Sequence, residues 1–121
     1  MLRRIAASIL AAVAVGGGVT LAATPAEAAS IGSCPNNTVC LYAGQNLAGT
    51  MIFEGNGSTM ASTGHYYTSP YLQSGVQTLS SANSTLGRFC TYTKNLALSN
   101  VLNHGTSGNL ANHNVYYVKI C

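Results

Sequence analysis

Beyond residue 28, apolar positions fall in short runs cut by Gly, Asn or Ser, and none repeats with a helical period over three turns. Thr38-Val-Cys-Leu-Tyr42 is the densest run. Its β-branched and aromatic residues predict a strand, entered from the turn cluster Pro35-Asn36-Asn37. A turn-rich connection over 43–49 leads to a second strand at 50–53, and Gly55-Asn-Gly-Ser58 marks the next turn. Residues 59–75, carrying Tyr66, Tyr67, Pro70 and Tyr71, read as a long irregular segment. Residues 75–81 alternate apolar and polar, as a half-buried strand does. Asn83-Ser84 predicts a turn. Further strands are expected at 86–93, 99–102 and 115–121, with a Gly/Asn/His loop before the last. On that last strand Tyr116 and Tyr117 are expected to face opposite ways, one buried and one not. Short strands punctuated in this way predict an all-β fold, a sandwich or a barrel.

Part of the pattern occurs twice. Phe89-Cys-Thr-Tyr-Thr-Lys-Asn-Leu-Ala97 repeats the core of the run that begins at Thr38. Cys40 answers to Cys90 and Tyr42 to Tyr92; after a one-residue deletion, Asn46-Leu47-Ala48 answers to Asn95-Leu96-Ala97. Self-similarity at a fixed offset predicts one supersecondary unit used twice. Two halves of about four short strands each fit two Greek-key motifs packed face to face, because one such sheet has an apolar face it cannot bury alone. The first motif spans about 34–81 and the second about 84–121.

Residues 1–28 have the character of a signal peptide. A basic start at Arg3-Arg4, an apolar run over 5–15 and the small-residue site Ala26-Glu-Ala28 predict secretion with cleavage after Ala28, leaving no stable membrane span. Removing 28 of 121 residues leaves 93, a single domain near the lower size limit for a self-sufficient core. Four cysteines in a secreted chain predict two disulfides, in one of three pairings. Cys34–Cys40 would close a small ring, and Cys90–Cys121 would tie the second repeat to the C-terminus. On chain entropy these contribute about 2 and about 4 kcal/mol. A bridge between the equivalent Cys40 and Cys90 is less favourable, since paired strands already hold those positions.

Charge narrows the function classes. Residues 29–121 keep Arg88, Lys94 and Lys119 against one acid, Glu54, for a net of +2. Three scattered cations do not make the basic stripe of a nucleic-acid binder. No enzyme chemistry suggests itself: there is no aspartate for a Ser-His-Asp triad, no Gly-x-Ser-x-Gly, and Glu54 lacks a second titratable partner for acid–base work. His65, His104 and His113 match no zinc spacing, so neither a metal nor a cofactor is expected.

The string Cys34-Pro-x-x-x-Val-Cys-Leu-Tyr-x-x-x-Asn-x-x-Gly49 resembles the opening of the actinobacterial peptidase-inhibitor family with a βγ-crystallin-like fold. Ser80-Ser-Ala-Asn-Ser-Thr85, leading into Phe89-Cys-Thr-Tyr92, is similar to that family's inter-repeat segment. The likeness covers most of residues 34–100. It implies a βγ-crystallin-like, two-motif, disulfide-stabilised β-sandwich in which Cys34 and Cys40 pair. Val39, Leu41 and Tyr42 would form the first strand, and Asn46 and Gly49 the turn that folds the hairpin back. The sequence departs from the family at two places. No cysteine lies between Cys90 and Cys121, so the second short loop that enters the protease in metalloproteinase-inhibitor-like members is missing. Val76-Gln77 stand before Thr78-Leu79-Ser80-Ser81 where crystallin calcium sites have acidic residues or Asn.

The resemblance implies a secreted inhibitor that occludes an extracellular protease with a rigid loop, and the chain is expected to be a monomer. The ring residues Pro35, Asn36, Asn37, Thr38 and Val39 would be that loop, because a preorganised loop loses little entropy on docking; otherwise they anchor the N-terminus. Tyr66, Tyr67 and Tyr71 offer aromatic contact area, or else they cover a sheet edge. An antimicrobial or killer-toxin-like relative acting on envelopes or wall polymers, served by a modest positive charge, is the alternative reading. A structural cell-surface protein is the third.

Overall fold

The computed structural model describes residues 29–121; the expected signal peptide and its cleavage site lie outside the described residues. The described chain is mostly β, with two antiparallel sheets and two short helices. Strands β1 (Thr38–Tyr42) and β2 (Met51–Asn56) form a hairpin, followed by helices α1 (Gly57–Thr63) and α2 (Pro70–Gln73). Then come β3 (Ser80–Asn83), β4 (Phe89–Tyr92), β5 (Leu98–Leu102), β6 (Thr106–Asn109) and β7 (Tyr117–Ile120). Sheet one has the order β2-β1-β3-β6 and sheet two the order β5-β4-β7.

The duplicated sequence folds into duplicated structure. Leu41/Tyr42 and Thr91/Tyr92 each stand opposite a β-bulge, which leaves Ile52 and Ser99 as the extra residues. Leu47 and Leu96 both adopt a left-handed backbone, φ 62° and 64°, in the turns that follow. A leucine resists that conformation, so its recurrence at equivalent positions marks two related turns. The first, one residue longer, also holds Asn46 left-handed at φ 56°, whereas its counterpart Asn95 is not. The bulge also lets the consecutive Ile52 and Phe53 both reach the core, against simple alternation.

Each half lends backbone to the other's sheet. β6 belongs to the second half but pairs with β3 in sheet one, Ser81 opposite Gly108. Tyr67 belongs to the first half but bridges Val118 of β7 through two backbone hydrogen bonds of 2.8 Å. Each sheet therefore takes outermost backbone from the other half. Val39, Leu41, Ile52 and Phe53 of sheet one meet Phe89, Leu102 and Val118 of sheet two in one core, closed by Met60 of α1 and Leu72 of α2.

The helices and β6 depart from the sequence-based expectation. Residues 55–58 are not a simple turn and 59–75 are not wholly irregular. Asn56 caps α1 by accepting from the Thr59 backbone N–H, and Ser69 caps α2, with Pro70 in its first turn. The stretch expected as a loop before the last strand contains β6, whose Thr-Ser-Gly-Asn is exposed throughout. The strand expected from residue 75 begins only at Ser80, and Asn83-Ser84 are not a surface turn.

Residues 80–85 instead form a buried polar seam in which only Ala82 is apolar. The Asn83 side chain donates to the Gly87 carbonyl at 3.0 Å and the Leu102 carbonyl at 2.8 Å. It accepts from the Thr85 N–H at 3.0 Å and the Thr85 hydroxyl at 2.6 Å. This one amide joins β3 of sheet one to β5 of sheet two, with every polar atom engaged. That completeness makes a buried amide tolerable.

Candidate functional site

The register of each sheet separates an inner face from an outer one. On β1, Val39 and Leu41 point to the core while Cys40 and Tyr42 point outward; on β3, Ala82 shares the outward face. The outward face of sheet one is nonetheless closed. The N-terminal turn around Ile31 folds onto it, held by paired 3.0 and 2.8 Å backbone hydrogen bonds between Ile31 and Cys34. Tyr42 is buried there, with its hydroxyl 2.9 Å from that of Ser33 and Leu47 and Met51 alongside.

Sheet two has the same outward positions and none of that cover among the described residues. Tyr92 stands for Tyr42, Lys119 for Ala82, Leu98 for Met51 and Leu96 for Leu47. Leu96 and Leu98 are 50% and 57% exposed, and Val101 is 46% exposed. Beside them the rings of four tyrosines meet edge to face. Tyr66 lies 5.2 Å from Tyr92 and 5.6 Å from Tyr117, and Tyr117 lies 4.7 Å from Tyr116, centroid to centroid. Edge-to-face packing brings the positive rim of one ring to the negative face of the next, so the cluster is held rigidly. Lys119 sits with its ammonium 5.5 Å from the Tyr66 centroid, and Lys94 5.9 Å from that of Tyr116. Glu54, the one acidic side chain of residues 29–121, lies on the outer strand of sheet one. The open face is thus aromatic, aliphatic at one edge, and positively charged.

A cleft of about 540 Å³ adjoins this face and shares Lys94 and Tyr116 with it. Leu72, Val76 and Val115 supply its apolar lining; Gln73, Gln77 and Asn114 supply polar groups.

The residues singled out from the sequence scatter. Cys34–Cys40 and Cys90–Cys121 form the two disulfides, with Cα separations of 5.9 and 5.1 Å. Within the first ring Thr38 and Val39 are buried, Asn37 is half-buried, and only Pro35 and Asn36 are exposed. The ring is stitched inward. The Ser84 hydroxyl donates to the Pro35 and Thr38 carbonyls and accepts from the Thr38 N–H. Asn37 reaches Ser58, and its carbonyl accepts from the Gly57 N–H at 2.8 Å. Gly57 admits no side chain, because a Cβ would lie 2.5 Å from Thr85 Cγ2 and 2.7 Å from Asn37 Oδ1.

Tyr66 enters the aromatic cluster, Tyr67 turns toward the core, and Tyr71 stands exposed on α2 outside the ring contacts. Tyr116 and Tyr117 do not split into one buried and one exposed residue. Both are half-buried and touch each other, because β7 begins only at Tyr117 and alternation does not reach back to Tyr116. The sequence signals for Tyr92, Tyr116 and Tyr117 were the repeat at Cys90 and the Tyr-Tyr-Val-Lys run. Neither reveals which face is left uncovered.

The Ser80 hydroxyl donates to the Gly44 carbonyl at 2.7 Å and accepts from the Leu47 N–H at 2.9 Å, bracing the first hairpin. Among the described residues no three His, Cys, Asp or Glu side chains gather as a metal site would require, and no helix is long and apolar enough to cross a membrane. No family model, curated protein or solved structure matches the chain.

Proposed function

We propose that residues 29–121 are a secreted, non-catalytic binding protein of the peptidase-inhibitor type, built on a βγ-crystallin-like pair of Greek-key motifs. The crossing of β6 into sheet one, the Tyr67 bridge to sheet two and the bulge that both halves share support the two-motif reading, as does the string from Cys34 to Gly49. One observation carries the functional reading. Two equivalent sheet faces differ in cover, and the uncovered one displays Tyr66, Tyr92, Tyr117 and Leu98.

The docking surface is this face rather than the disulfide ring, which turns only Pro35 and Asn36 outward. Tyrosines suit the task because they bring large contact area with few rotatable bonds, so little entropy is lost on binding. Lys94 and Lys119 at the border steer an acidic partner. The partner is an extracellular protease, occluded by a rigid surface.

Titration of the purified protein against thermolysin-like and serine proteases tests this. Micromolar or tighter inhibition that Tyr66→Ala weakens is the expected result; no inhibition of any protease at micromolar concentration overturns it. The envelope-directed reading is favoured by one different feature, the polar-lined cleft beside the face, and growth inhibition of fungi or competing bacteria is its assay.

A further inference from the structure

The cleft differs from the open face in chemistry. The face offers rings and aliphatic side chains, whereas the cleft offers amides over an apolar floor. Several amides elsewhere are structural: those of Asn37, Asn46, Asn83, Asn100 and Asn109 all hydrogen-bond within the chain, while those of Asn36, Gln45, Asn95 and Asn103 stand singly on the surface outside the cleft. The side chains of Gln73, Gln77 and Asn114 have no such partner among the described residues, yet all three line one concavity. The His113 ring beside them is engaged by the Leu110 carbonyl at 3.0 Å, so it braces the wall rather than reaching for a ligand. The volume of about 540 Å³ falls within the range of roughly 300–1,000 Å³ typical of ligand sites.

We infer that this cleft is a binding site for an acidic saccharide, a short run of pyranose units bearing carboxylates. Each part of that ligand meets its complement. Sugar hydroxyls are both donors and acceptors, as are the side-chain amides of Gln73, Gln77 and Asn114. The C–H face of a pyranose ring is apolar and lies against the Tyr116 ring. The carboxylate pairs with Lys94, whose ammonium stands at the junction of cleft and tyrosine cluster, 5.9 Å from the Tyr116 centroid. No acidic side chain lines the cleft to repel it. An acidic peptide would satisfy Lys94 but would not match a row of unengaged amides beside a half-buried ring. The inference stands on the cleft alone and does not require a protease partner.

The test is titration of the ¹⁵N-labelled protein with trigalacturonate, maltotriose and a glutamate tripeptide, followed by NMR. Trigalacturonate is expected to shift the side-chain amides of Gln73, Gln77 and Asn114, more weakly as salt is raised. Lys94→Gln, a change at an exposed position, weakens that binding about fivefold. Tyr116→Ala weakens it by a similar factor, with the fold monitored in the same spectra. Maltotriose is expected to bind at least about fivefold more weakly, having lost the same charge pair. Equal binding of maltotriose, equal binding of the glutamate peptide at the same amides, or no shift with any probe at millimolar concentration would each overturn the assignment. Protease titration reports on the open face separately.

Discussion

The outer faces of the two sheets are the same construction finished in two ways. On sheet one, Cys40, Tyr42 and Ala82 are sealed under the turn at Ile31 and become a second, small core. On sheet two, Cys90, Tyr92 and Lys119 occupy the equivalent positions; Cys90 is buried in its disulfide, but Tyr92 and Lys119 are only half-buried, beside the exposed Leu96 and Leu98. Backbone pairing, bulge and turn are conserved between the halves while the use of the side chains is not. Scaffold and proposed binding surface therefore rest on different parts of the same repeat. Core-facing positions keep both halves together, and outward-facing ones are free to serve either stability or recognition.

Four measurements sharpen or break this contrast. Cys90–Cys121 closes a much longer loop than Cys34–Cys40, and among the described residues no second core stands beside it, so the open half should depend more on its disulfide. Replacing Cys90 and Cys121 with Ser is expected to cost about 4 kcal/mol in urea unfolding, against about 2 for Cys34 and Cys40; equal losses would remove the asymmetry. Tyr42→Ala should cost about 3 kcal/mol, since it empties a sealed site. Tyr92→Ala should cost about 1 kcal/mol, as its ring is half-exposed. A larger loss at Tyr92 than at Tyr42 would mean that the tyrosine cluster is a core after all. Asn83→Ala strips two carbonyls and Thr85 of their partner where the sheets join, and should lower stability by about 2 kcal/mol in calorimetry. If it does not, the sheets are joined by something other than this amide. Leu98→Ser should change stability by less than about 0.5 kcal/mol while abolishing the proposed protease inhibition. A stability loss without a binding loss would place Leu98 in the scaffold.

The sequence made β1 legible to its last residue because packing and propensity agree there: Thr38–Tyr42 is β-branched, aromatic and buried throughout. It hid β6, because Thr-Ser-Gly-Asn carries no apolar residue and becomes a strand only through backbone pairing with β3. It hid α1 for a similar reason, since among the long side chains of that helix only Met60 is buried. The seam at 80–85 reads as surface by composition, yet a closed hydrogen-bond network places it inside. Of the site, Tyr66 was legible as an aromatic in an irregular segment. Its meeting with Tyr92 and Tyr117 depends on the bridge from Tyr67 to Val118, a contact 51 residues apart in the chain that no local pattern encodes.

The crossed outer strands set a rule for when this chain can be whole. Until Thr106–Asn109 has been delivered, β3 keeps a bare hydrogen-bonding edge, and until Val118 arrives Tyr67 has nothing to clasp. Neither half can mature as a free-standing unit, and a polypeptide stopped short of its final strands would present sticky margins to its neighbours. Closing both sheets waits for the tail, so the two halves are expected to fold together rather than in turn.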